Sequence, residues 1–131
     1  MKIKDYMTSD IVKCDINDEI STIAEIMDSN NVGFVAVLEN DEIIGVITDR
    51  DIVIGPVMDN TTSIEDFVNK NIISLDKNDD VNKALLTMRE NKIKRILVTD
   101  DERYTGVLSI YDLFDTDLKD EIFNTLREIK S

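Results

Sequence analysis

Apolar side chains recur along this chain with two alternating periods. Residues 11–14, Ile-Val-Lys-Cys, form a short β-branched run that predicts a strand. Ile20, Ile23, Ala24 and Met27 then fall at i, i+3, i+4 and i+7, the spacing that gathers apolar groups on one helix face. Two further apolar runs, 34–38 and 43–48, flank the polar stretch Glu39-Asn40-Asp41-Glu42 and predict a hairpin. The same order returns later: a strand at 72–75, a helix on Val81, Ala84, Leu85 and Met88, and runs at 96–99 and 104–109 around Asp100-Asp101-Glu102-Arg103. Asn17 or Asp18, and Asn78 or Asp79, are placed to cap the two helices. These helices should stop near Asn30-Asn31 and Asn91-Lys92.

The recurrence is a true repeat. Gly45-Val46-Ile47-Thr48-Asp49-Arg50-Asp51 is echoed by Gly106-Val107-Leu108-Ser109-Ile110-Tyr111-Asp112, an offset of 61 residues. Without a gap, that offset also matches Asp15 to Asp76, Asn17 to Asn78, Asp18 to Asp79, Met27 to Met88, Asn30 to Asn91 and Val37 to Val98. Thr48 and Ser109 stand as N-caps of short helices, so each copy reads strand, helix, strand, strand, helix. The expected boundaries are 1–54 for the first copy, 55–63 for a linker holding the single proline, Pro56, and 64–114 for the second copy. Ser63 and Asp66 are spaced as a capping box for one more helical turn. In 115–131, Leu118, Ile122, Leu126 and Ile129 predict an amphipathic tail helix whose apolar stripe would pack on its own module or, the reading slightly preferred, on a second chain.

Composition narrows the chemistry. With 131 residues, 42% of them hydrophobic, the chain can fill one core or two small ones. Fifteen Lys and Arg against 28 Asp and Glu leave a formal charge of −13, the wrong sign for nucleic acid or an anionic membrane surface. No apolar run approaches the roughly 20 residues that span a bilayer, and the N-terminus lacks a signal-peptide pattern, which predicts a cytoplasmic protein. A single cysteine, Cys14, allows no internal disulfide, and the absence of histidine removes the commonest zinc ligand and general base. No catalytic constellation or metal site is read here. The acidic clusters Asp15/Asp18/Glu19 and Asp76/Asp79/Asp80 read as solvated turns at helix starts.

The doubled motif of glycine, two apolar residues, Thr or Ser, two variable residues and Asp resembles the CBS domain, which occurs as tandem pairs called Bateman modules. The stretch Thr48-Asp49-Arg50-Asp51-Ile52 looks like that of stand-alone bacterial and archaeal pairs. The resemblance implies an α+β fold of two tandem βαββα repeats, packed through their sheets about a pseudo-twofold axis and followed by a C-terminal helix. It also implies clefts between the repeats for adenosine-containing ligands such as AMP, ADP, ATP or S-adenosylmethionine. The ligand would be regulatory rather than a required cofactor. A homodimer would signal in trans to a protein target.

Chemistry adds roles to that resemblance. A carboxylate can accept charge-assisted bonds from both ribose hydroxyls, the role expected of Asp51 and Asp112, with Thr48 and Ser109 three residues earlier reaching ribose or phosphate. By resemblance, the adenine slot would be walled by Val12, Val32 and Val46, and by Ile73, Ile93 and Val107, with backbone from Gly33 and Lys94. Lys13, Arg50, Lys92 and Arg95 are the candidate phosphate contacts. Ala36 and Leu97 depart from the family's usual proline beside the base. The competing reading is a protein-interaction module with vestigial, empty clefts.

Overall fold

The β-branched runs and the helical stripes become the elements their periods predict. A computed structural model describes residues 1–130 and divides them into two compact units, Ile11–Ile72 and Met1–Asp10 with the chain from Ile73 onward. In the first, β1 (Lys13–Asp15) leads to α1 (Ile20–Asn30), β2 (Phe34–Glu39), β3 (Glu42–Thr48) and the short α2 (Asp49–Ile52). In the second, β4 (Ser74–Asp76), α3 (Val81–Asn91), β5 (Arg95–Asp100) and β6 (Arg103–Ser109) repeat that order. A 3₁₀ turn (Ile110–Leu113) and α4 (Lys119–Lys130) complete that unit. Ser131, the last residue of the expected tail, lies outside the described residues.

Each sheet has three strands in the order β1-β2-β3 or β4-β5-β6, the first pair parallel and the second antiparallel. The registers coincide at the repeat offset, Ala36 opposite Val46 and Leu97 opposite Val107. Both hairpins turn on two left-handed residues, Asn40-Asp41 and Asp101-Glu102, with φ of 52° and 65° in each. Such turns match the right-handed twist of the flanking strands. Ile23, Met27, Val35, Val37 and Ile47 are the heart of one core, and Ala84, Met88, Ile96, Val98 and Leu108 of the other.

Some local expectations shift. Both long helices stop as read, on left-handed Asn31 and Lys92, but they start one residue late, at N-caps Glu19 and Asp80. The reason is competition: Asp18 and Asp79 already accept the amides of Asp15 and Asp76, at 2.9 and 3.0 Å, and so close the preceding turns. The expected linker begins inside a π-helical turn, Val53–Val57, where Gly55 and Pro56 are buried. A Cβ on Gly55 would lie 2.5 Å from the ring of Phe67, so the glycine admits that ring. At Ser63 the expected turn forms, Phe67 N donating to Ile64 O, but without the capping box, since Ser63 Oγ accepts from Glu65 N rather than from Asp66 N. The tail helix buries Ile122 and Thr125 in its own unit, with Leu118 and Leu126 packed on the same core, rather than reserving its stripe for another chain.

The compact units do not coincide with the sequence repeats, because each leading segment joins the other repeat's sheet. Thr8 bridges Val107, and Asn69 bridges Val46, with reciprocal 2.9 Å backbone bonds in both cases. Here the motif glycines have their purpose. A Cβ on Gly45 would sit 2.6 Å from the carbonyl of Asn69, and one on Gly106 would sit 2.7 Å from that of Thr8. Among the described residues no helix is long and apolar enough to cross a membrane.

Candidate functional site

At the end of β3 the chain turns sharply, and Thr48 and Asp51 hold that corner reciprocally. Thr48 N donates to Asp51 Oδ2 at 3.0 Å, and Asp51 N donates to Thr48 Oγ1 at 3.1 Å. This capping box satisfies two amides that a helix start leaves free. The matching corner after β6 is built alike: Ser109 N donates to Asp112 Oδ2 at 2.9 Å, and Ser109 Oγ accepts from Tyr111 N at 3.2 Å. The segment before each hairpin is tied to the same corner, Asp49 N donating to Gly33 O at 3.0 Å and Ile110 N to Lys94 O at 2.8 Å.

Capping therefore occupies one carboxylate oxygen of Asp51 and of Asp112. The other, Oδ1, receives no hydrogen bond from any described residue, and both side chains are half-buried. An ionised carboxylate offers about four lone-pair sites, so each corner keeps capacity for further donors.

The expected slot residues fall around these corners. Val46 and Val107 lie two residues before the hydroxyls, on the same face of their strands, opposite Ala36 and Leu97. Val12 and Ile73 extend the edge strands, their carbonyls accepting from Ala36 N at 3.0 Å and Leu97 N at 3.2 Å. Val32 and Ile93 follow the helix ends and pack on the margins of the two cores. Thus Val12, Val32, Gly33, Val46, Thr48 and Asp51 belong to one unit, and Ile73, Ile93, Lys94, Val107, Ser109 and Asp112 to the other.

The candidate cations are placed less evenly. Arg95 lies directly opposite Ser109 in the ladder, its guanidinium 5.7 Å from the centre of the Tyr111 ring. Lys94 and Lys92 are exposed just before it. In the other unit Phe34 takes the place opposite Thr48, leaving Arg50 exposed on α2 and Lys13 exposed on the edge strand. Sequence reasoning missed Asp49, whose carboxylate stands where a Cβ on Gly33 would be, 2.7 Å from that position. The available signal was the contrast of Asp49 with Ile110 at the matched place. Cys14 is buried, and burial, then Asp18 and Asp15, push its thiol up to about 12, so it remains a neutral thiol.

The CBS domain family model matches residues 3–55 and again 64–119. The chain belongs to the CBS-domain family. The YlbB protein of Bacillus subtilis (strain 168) is 32% identical to it over 117 residues, 86% of this chain and 79% of that protein. Among solved CBS structures, the domain pair of MJ0100 in complex with 5′-methylthioadenosine and S-adenosyl-L-methionine superposes with a TM-score of 0.79 at 23% identity, covering 86% of this chain and 92% of that one. PAE2072 from Pyrobaculum aerophilum, complexed with AMP, gives 0.78 at 22% identity over 97% and 98%. These similarities establish the α+β CBS architecture of tandem repeats.

Proposed function

We propose that this CBS protein is a regulatory sensor that binds an adenosine-containing ligand, AMP, ADP, ATP or S-adenosylmethionine, at its two strand-to-helix corners. The observation that carries the reading is the uncommitted second oxygen of Asp51 and of Asp112, held half-buried beside a hydroxyl and an apolar strand face. Such an oxygen can accept from a ribose diol, while Val12, Val32 and Val46, or Ile73, Ile93 and Val107, offer apolar surface to a base. The adenosyl compounds named for PAE2072 and MJ0100 support the same class of ligand here.

The reading assigns no catalytic step to the chain. As a cytoplasmic homodimer it would transmit occupancy to a protein target, which requires the ligand to bind one dimer state more tightly than another. Exposed Val53, Ile54, Val57 and Met58 in one unit, and Tyr111, Phe114 and Phe123 in the other, offer apolar surface for that association.

Thermal unfolding with AMP, ADP, ATP and S-adenosylmethionine, with GTP as control, tests the proposal. A ligand at 100 times its Kd adds about 2.7 kcal/mol of stability, a shift of several degrees for a chain this size. The expected result is a saturable shift specific to adenosyl compounds and lost in the double variant Asp51→Asn/Asp112→Asn. No shift at millimolar ligand would overturn the sensor reading in favour of a protein-interaction module with empty sites.

A further inference from the structure

The two corners share a backbone and a capping scheme but differ in charge. The two segments that meet at the Ser109 corner, 92–95 and 109–112, carry three cations, Lys92, Lys94 and Arg95, and one carboxylate, Asp112. At the matched positions 31–34 and 48–51 there are two carboxylates, Asp49 and Asp51, and one cation, Arg50. The difference is positional as well as numerical. Arg95 occupies the ladder place opposite Ser109, makes no ion pair among the described residues, and rests 5.7 Å from the Tyr111 ring centre. It is therefore a half-buried cation held beside the corner with its charge unspent. Opposite Thr48 stands the apolar ring of Phe34. The second carboxylate of that corner, Asp49, lies against Gly33, beside the backbone expected to meet the base, with Oδ1 accepting from Arg50 N at 2.8 Å.

We infer that the two corners differ in what they admit: the Ser109–Asp112 corner takes phosphate-bearing adenosyl compounds as well as phosphate-free ones, and the Thr48–Asp51 corner takes only adenosyl compounds that lack phosphate. The physical reason is that a guanidinium pairs with phosphate through short, charge-assisted bonds. A phosphate brought to the other corner would instead meet a second carboxylate and a phenyl ring, with no cation in the ladder place beside the hydroxyl. A base and ribose without phosphate lose nothing by that exchange. The inference rests on adenosyl compounds binding at these corners.

Isothermal titration of the full chain with AMP and with 5′-methylthioadenosine tests it. AMP should bind once per chain and methylthioadenosine twice. Arg95→Gln should weaken AMP at least about tenfold, the loss of one hydrogen bond between charged groups. It should leave methylthioadenosine within about twofold. Arg95→Lys, which keeps the charge, should recover most of the AMP affinity. Asp51→Asn should remove one methylthioadenosine site and spare AMP, while Asp112→Asn should weaken AMP. AMP binding that ignores Arg95→Gln, or that weakens equally in the two carboxylate variants, overturns the assignment and leaves adenosyl binding standing. Failure of both compounds to bind the unaltered chain overturns the assignment and the sensor reading together.

Discussion

At matched places in the two sheets Phe34 lies opposite Thr48 and Arg95 lies opposite Ser109, although both ladders run in the same register and both corners close on a Thr or Ser with an Asp. The shared parts are those the backbone needs: a hydroxyl and a carboxylate at a sharp turn, and a glycine where another segment crosses. The Phe34 and Arg95 side chains, which differ, make none of the ladder's hydrogen bonds, so either is compatible with the same register. A duplicated scaffold thus holds geometry constant and lets charge vary, which places two chemistries at one kind of corner.

The crossing glycines give the largest expected break in that symmetry. Overpacking a filled site costs about 1–3 kcal/mol. Gly45→Ala should reach the upper end, near 3 kcal/mol, because its new methyl would meet the stiff, branched Val68 at 2.5 Å and the Asn69 carbonyl at 2.6 Å. Gly106→Ala should cost nearer 2 kcal/mol. Its methyl meets the Thr8 carbonyl at 2.7 Å, but the next neighbour, Met7 Sδ at 3.0 Å, belongs to an unbranched chain that can yield. Urea unfolding would rank the two, and equal midpoints would show that the second crossing is as rigid as the first.

Smaller effects should follow at the caps. Thr48→Ala and Ser109→Ala should each lose about 1 kcal/mol by freeing a capped amide. In the bulge of β6, the buried Thr105 Oγ1 has no hydrogen-bond partner among the described residues, while the matched Ile44 packs on its core with no hydroxyl to satisfy. Thr105→Val should therefore gain about 1 kcal/mol. A loss on that substitution would mean the hydroxyl finds a partner in solution.

Much of this architecture was legible because the repeat could be read twice. The offset joining Gly45 to Gly106 located both corners, both hairpins and the residues now found around each turn. Helix starts were misplaced because Asp18 and Asp79 look like caps but are consumed by the turn before the helix, a competition that spacing does not reveal. The stretch at Gly55-Pro56 reads as linker from its loop-like composition, which gives no sign that Gly55 lies against the ring of Phe67, twelve residues on. The exchange of leading segments left only the motif glycines as its trace. At the candidate site, Thr48, Asp51, Ser109 and Asp112 were readable from their motif, but Asp49 acquires meaning only once it lies against Gly33.

The mildest contrast concerns the two long helices. Asp80 caps α3, Oδ1 accepting from Asn82 N at 2.8 Å, and its carboxylate also lies 3.6 Å from the amino group of Met1, whereas Glu19 makes no side-chain cap on α1. The hydrogen bond from Asn82, and then the charge of the N-terminus, hold Asp80 below the usual carboxylate range. A carboxylate whose folded pKa is depressed contributes stability that is fully present above its unfolded pKa, near 4, and is lost as the pH falls through the folded value. Asp80→Asn keeps an oxygen for the cap and removes the titration, so its stability should decline less steeply than that of the unaltered chain below about pH 4. Urea midpoints measured from about pH 7 down to about pH 3 would show this, and parallel acid limbs would mean that the amino group and the Asn82 amide no longer hold Asp80 in solution. Glu19→Asp offers the converse: a shorter carboxylate at the uncapped start should gain a few tenths of a kcal/mol, making the first helix begin as the second does.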